Sequence, residues 1–87
     1  MSEESLLSFP CEFPIKVMGV NSDRFENEVF MIANQHIPNL GEAAIKSRPS
    51  SSAKYLSVTV TFTAQSRDQI DKLYLAFNKL ADVKMVL

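Results

Sequence analysis

The 87-residue sequence predicts an α+β fold of two layers, a four-stranded antiparallel sheet with two helices on one face. Three observations predict it. Residues 54–66, KYLSVTVTFTAQS, alternate with Leu56, Val58, Val60, Phe62 and Ala64 in one row and Tyr55, Ser57, Thr59, Thr61 and Thr63 in the other, which is the period of a half-buried strand. Two other segments repeat apolar residues at steps of three and four, the period of an amphipathic helix. Each strand then has one apolar row and each helix one apolar stripe, so both helices must cover the same side of one sheet.

The elements follow in order. Residues 1–12, with Glu3, Glu4 and scattered Ser and Pro, read as a loosely held lead-in that Phe9 and Phe13 pin to the body; residues 13–87 form the single domain. From Phe13 to Val20 the chain alternates, with Phe13, Ile15 and Val17 on one side and Lys16 and Met18 on the other. Gly19 permits a tight exit, and Asp23 with Glu26 has the spacing of a capping box. The helix that follows carries Phe25, Val29, Ile32, Ala33 and His36 on one stripe and ends before Pro38, which cannot donate an amide hydrogen bond. Residues 42–48, EAAIKSR, form a weaker second strand, joined by PSSSAK in a hairpin to the third strand. Ser66 with Gln69 starts the second helix, whose stripe holds Ile70, Leu73, Tyr74, Phe77, Leu80 and Ala81. VKMVL makes the last strand. Right-handed crossovers in each strand–helix–strand half give a ferredoxin-like βαββαβ sandwich with strand order 4-1-3-2.

Composition narrows the function classes. The chain has 46% apolar and 22% charged residues and a net charge of −1, ordinary for a globular domain and without the basic excess of a general nucleic-acid or membrane binder. Cys11 is the sole cysteine, so no internal disulfide forms, as suits a reducing compartment. The start of the sequence has neither the basic region nor the apolar run of a secretory signal, and a cytoplasmic location is expected. No cluster of residues has metal-ligand spacing, and no cofactor is expected.

The two-layer arrangement leaves one sheet face uncovered. Strand parity assigns to it Lys16 and Met18, then Ala44, Lys46 and Arg48 if Ile45 points inward, then the Tyr55–Thr63 row, then Lys84 and Val86 if Val83, Met85 and Leu87 turn inward. A slip of one residue in the second strand would instead move Lys46 and Arg48 inward. The basic residues Lys16, Lys46, Arg48 and Lys84 thus meet on the open face, while Asp23, Glu26, Glu28, Asp68 and Asp71 lie on the helix side. A threonine-rich row with lysines can simply meet water. The functional reading is a docking surface for a small anionic ligand or an acidic protein partner. RNA binding on such a face needs two or three aromatic platforms, and only Tyr55 is aromatic there. An enzyme or acyl-handling protein would use Cys11 or His36, but neither has an evident activating partner. The amides of Asn21 to Arg24 open a helix and offer a weak anion site.

The segments FPCEFPIKVMG (9–19), QHIP (35–38), RPSSSAKYLSVTV (48–60) and VKMVL (83–87) together resemble the YbeD-like family of small bacterial proteins, over nearly the whole chain. The resemblance implies a ferredoxin-like domain similar to ACT-type regulatory domains, and no catalytic residue. Its motif positions include Ser50, Ser51 and Tyr55 in and beside the hairpin. The combined expectation is a non-enzymatic regulatory or adaptor module. It would bind through Lys16, Met18, Lys46, Arg48, Ser50, Ser51, Tyr55, Thr59 and Lys84, as a monomer or weak homodimer.

Overall fold

The computed structural model describes residues 8–87. In chain order it contains β1 (Cys11–Val20), α1 (Asp23–His36), a 3-10 turn (Glu42–Ala44), β2 (Ile45–Pro49), β3 (Tyr55–Ala64), α2 (Arg67–Asn78) and β4 (Val83–Val86). The strands form one antiparallel sheet in the order β2-β3-β1-β4, the order the periodicity predicts. Most of the lead-in assigned to residues 1–12 lies outside the described residues. Within it, β1 starts two residues earlier than the alternation suggested. Its pairing with β3 runs unbroken from Cys11↔Ala64 to Val20↔Tyr55.

The core lies between sheet and helices. Ile15 and Val17 from β1, Leu56, Val58, Val60, Phe62 and Ala64 from β3, Phe25, Val29 and Ala33 from α1, and Ile70, Leu73 and Phe77 from α2 are all buried. Phe13 and Phe62, opposite one another in the register, pack edge to face with ring centroids 6.2 Å apart, a geometry aromatic rings favour. Phe9 packs against this core as well. Ile37 is buried at the end of α1.

Both helices start on a serine. The Ser22 hydroxyl accepts from the Phe25 amide at 3.1 Å and the Ser66 hydroxyl from the Gln69 amide at 3.1 Å. The first cap is therefore Ser22, one residue before the Asp23 of the expected box; Asp23 and Glu26 fall in the first turn, where a carboxylate suits the helix dipole. Glu26 accepts instead from the Ser47 hydroxyl, tying α1 to β2. Gln69 also reaches away from its helix. Its amide oxygen accepts from the Gln65 amide at 2.7 Å, and its amide nitrogen donates to the His36 carbonyl at 3.1 Å.

Two strands differ from expectation, each for a local reason. Glu42–Ala44 forms a 3-10 turn closed by the Ala44 amide on the Gly41 carbonyl at 3.1 Å, in keeping with the low strand preference of Glu and Ala. Ala44 thus leaves the strand row. In β4, Met18 pairs with Met85 but Gly19 pairs with Val83, so Lys84 is an extra residue in a bulge. A bulge of one residue reverses the parity of everything beyond it. Val86 sits opposite buried Val17 and packs on the core, while Met85 lies opposite Met18 on the open face. Leu87 exchanges backbone hydrogen bonds with Lys16, at 2.8 and 3.1 Å, and shares that face. The assignment of Met85 and Leu87 inward and Val86 outward is reversed.

Gly19 is a buried strand residue rather than an exit hinge. A methyl group there would stand 2.5 Å from the Asp82 carbonyl oxygen and 2.6 Å from the Phe25 ring. Close approach of a neighbouring backbone is what a glycine inside a strand commonly serves.

Candidate binding face

The register assembles the open face row by row. Lys16, Thr59 and Lys46 stand side by side across β1, β3 and β2; Met18, Ser57 and Arg48 form the next row. Neighbouring strands lie about 4.8 Å apart, so the Lys16 and Lys46 backbones are about 10 Å apart, with a threonine hydroxyl between them. Lys16, Lys46 and Arg48 ring a shallow depression of ≈ 460 Å³ whose floor holds Ser57 and Thr59. A second depression of ≈ 210 Å³ adjoins it, sharing Lys16, Arg48 and Ser57 and reaching Met18 and Tyr55.

The cations elsewhere in the fold divide: Lys54, Lys79 and Lys84 lack a carboxylate partner among the described residues, whereas Arg24, Arg67 and Lys72 have one. On the helix layer, Arg67 pairs with Asp71 at 3.7 Å, Lys72 with Asp68 at 3.1 Å, and Arg24 with both Glu28 at 3.9 Å and Asp82 at 3.2 Å. Among the described residues, Lys16, Lys46 and Arg48 make no such pair. Of the acids, Glu12 shares the sheet face, opposite Thr63. It lies two same-face positions from Lys16, about 13 Å along the strand. Asp23, Glu26, Glu28, Asp68 and Asp71 lie on the helices, partly offset there by Arg24, Arg67 and Lys72, and the sheet face carries Lys16, Lys46 and Arg48 against Glu12.

The other candidates separate. Lys84 occupies the bulge on the β4 edge and does not line either depression. Ser50 stays at the site, lining the second depression, and also closes the hairpin: its amide donates to the Tyr55 carbonyl at 2.9 Å and its hydroxyl accepts from the Tyr55 amide at 3.2 Å. Ser51 is exposed in the turn. Asn21 clamps the same loop, its amide donating to Lys54 and its side chain to Ala53, so the amide run proposed for an anion at the start of α1 has lost its first member. Cys11 is a half-buried β1 residue opposite Ala64, not part of a loose segment. His36 is half-buried in the last turn of α1. Among the described residues no hydrogen bond joins these two.

A feature the sequence reading missed lies at the opposite end of the sheet. Because β2 reaches only to the Ile45↔Val60 pair, the end of β3 has β1 on one edge and no strand on the other. The 37–44 segment crosses this gap and leaves a cleft of ≈ 330 Å³ between Leu40, Phe62 and Thr63. No charged side chain lines it. Asn39, in the left-handed region at φ 60°, forms part of the rim; Pro38, Asn39 and Gly41 signal a turn here in the sequence, but not the cleft beside it.

The family model described as "Protein of unknown function (DUF493)" matches residues 4–87. The chain belongs to the DUF493 family. Relatives within it include a UPF0250 protein of Janthinobacterium sp. (strain Marseille), 46% identical over 97% of this chain and 92% of that one. A UPF0250 protein of Chromobacterium violaceum is 42% identical over the full length of both. The resemblance to YbeD-like proteins therefore holds. Among solved structures, the ACT domain from the GTP pyrophosphokinase of Chlorobium tepidum superposes with a TM-score of 0.70 at 13% identity, covering 87% of this chain and 94% of that one. Protein HP0495 from H. pylori superposes at 0.67 with 18% identity, over 100% and 94%. The DUF493 chain thus has the ferredoxin-like architecture of ACT domains. No helix among the described residues is long and apolar enough to cross a membrane.

Proposed function

We propose that this DUF493 protein is a regulatory or adaptor module that binds an anionic group on its open sheet face, at Lys16, Lys46 and Arg48. The observation that carries the reading is the cluster itself. Three cations without carboxylate partners gather around Ser57 and Thr59, while three cations of the helix layer, Arg24, Arg67 and Lys72, are paired. Unpaired charges of one sign on a surface attract and orient an oppositely charged partner. The likeness to an ACT domain, a unit that one enzyme carries as a domain, supports a regulatory role over a catalytic one.

The anionic group can belong to a small molecule or to an acidic protein segment, and titration separates them. Pyrophosphate and citrate serve as small probes and a Glu-rich peptide as the macromolecular one, each followed by calorimetry at low and high salt. At least one arm is expected to bind, with affinity falling as salt screens the charges. The triple variant Lys16→Glu, Lys46→Glu, Arg48→Glu should weaken it by about tenfold or more. Equal binding by the triple variant, or no binding in any arm, would remove the proposal.

A further inference from the structure

Building on that reading, we infer that the occupant of the open face is an acidic protein segment that also carries apolar side chains, docking across Lys46, Arg48 and Lys16 onto Met85 and Leu87. The bulge at Lys84 shapes this face. By reversing the parity of β4 it places Met85 and Leu87 beside Met18 and Lys16. Six large apolar side chains are exposed among the described residues. Four of them, Val20, Tyr55, Met85 and Leu87, at 37–59% exposure, are on this one sheet face. Met31 and Leu75 are isolated on the helices. Single exposed apolar residues mean little, but a contiguous group rimmed by charge marks an interaction surface.

The layout selects the occupant. Cations dominate at the β2 side, apolar groups at the β4 side, and the two meet at Lys16 and Met18. Crossing from Lys46 to Leu87 traverses three strand intervals, about 14 Å, the reach of four or five extended residues. A small molecule is held by burial within a concave pocket, whereas this face is open on its whole outer side. A second copy laid face to face would bring the two cation clusters into the same interface, where like charges oppose association.

Two synthetic peptides of equal charge and length, one alternating Glu and Leu and one alternating Glu and Ser, test this with the intact protein by fluorescence anisotropy. The Glu/Leu peptide is expected to bind about tenfold more tightly. The variant Met85→Ser with Leu87→Ser, both exposed and so free of core packing, should erase that preference while leaving Glu/Ser binding unchanged. The triple charge reversal should abolish both. Equal affinity for the two peptides overturns this inference and leaves the anion-binding reading standing; failure of both peptides overturns it outright. Sedimentation completes the test. A dimer that dissolves on Met85→Ser with Leu87→Ser would assign the patch to a second copy, and retention on anionic phospholipid vesicles without peptide binding would assign it to a lipid surface. Either result contradicts the inference.

Discussion

Replacing Phe25 by alanine is expected to destabilise the domain by about 3–5 kcal/mol, the range for deleting a buried aromatic side chain. Phe25 is fully buried in the first turns of α1, with its ring against Gly19 of β1. The cavity cannot close from the sheet side, because Gly19 has no side chain to move into it. That places the cost toward the upper part of the range. A domain of this size has roughly 5–15 kcal/mol in total, so the variant would retain little stability, and its melting point would fall by on the order of 15–30 °C. Urea and thermal unfolding followed by circular dichroism measure both. A loss below about 1.5 kcal/mol, the scale of a conservative core swap, would show that Phe25 does not pack as described.

Gly19→Ala adds a single methyl group and is expected to cost about 1–3 kcal/mol through overpacking, although Gly→Ala in a strand ordinarily helps by restricting the unfolded chain. The sign follows from what the methyl meets. The Phe25 ring edge can shift, but the Asp82 carbonyl, 2.5 Å away, belongs to the backbone entering β4. This carbonyl accepts from the Val20 amide at 3.0 Å, so relieving the clash moves the start of β4 and loosens that bond. The two substitutions should be non-additive. In the Phe25→Ala background the ring clash is gone and Gly19→Ala should cost less, with the remainder assigned to Asp82. A double-mutant cycle in urea reads the difference; a fully additive cycle would contradict the contact.

Much of this architecture was legible in the sequence because period and polarity agree. The row from Leu56 to Ala64 and the stripe through Ile70, Leu73 and Phe77 are buried as their spacing required. The placement of Lys16, Lys46 and Arg48 on one face followed from parity alone, since the strands carrying them pair without interruption. Parity failed at Lys84 because a bulge has no side-chain signature in VKMVL. Its cause lies 65 residues earlier, in the glycine that lets Asp82 approach. The 3-10 turn at Glu42–Ala44 was hidden for a related reason: alanine fits a strand, a turn or a helix, and only the closure onto Gly41 decides among them. The consequence for the site is direct. The cationic half of the face could be read from the chain, whereas the apolar half at Met85 and Leu87 depended on a register that pairing sets.

Cationic and apolar side chains share the uncovered side of the sheet, and binding requires that they act together. Chemical-shift mapping by NMR of the intact protein, titrated with the Glu/Leu peptide, tests this most directly. The largest changes should fall on Lys16, Met18, Lys46, Arg48, Met85 and Leu87, with α1 and α2 silent. Changes concentrated on the helices, or in the cleft between Leu40 and Thr63, would contradict it.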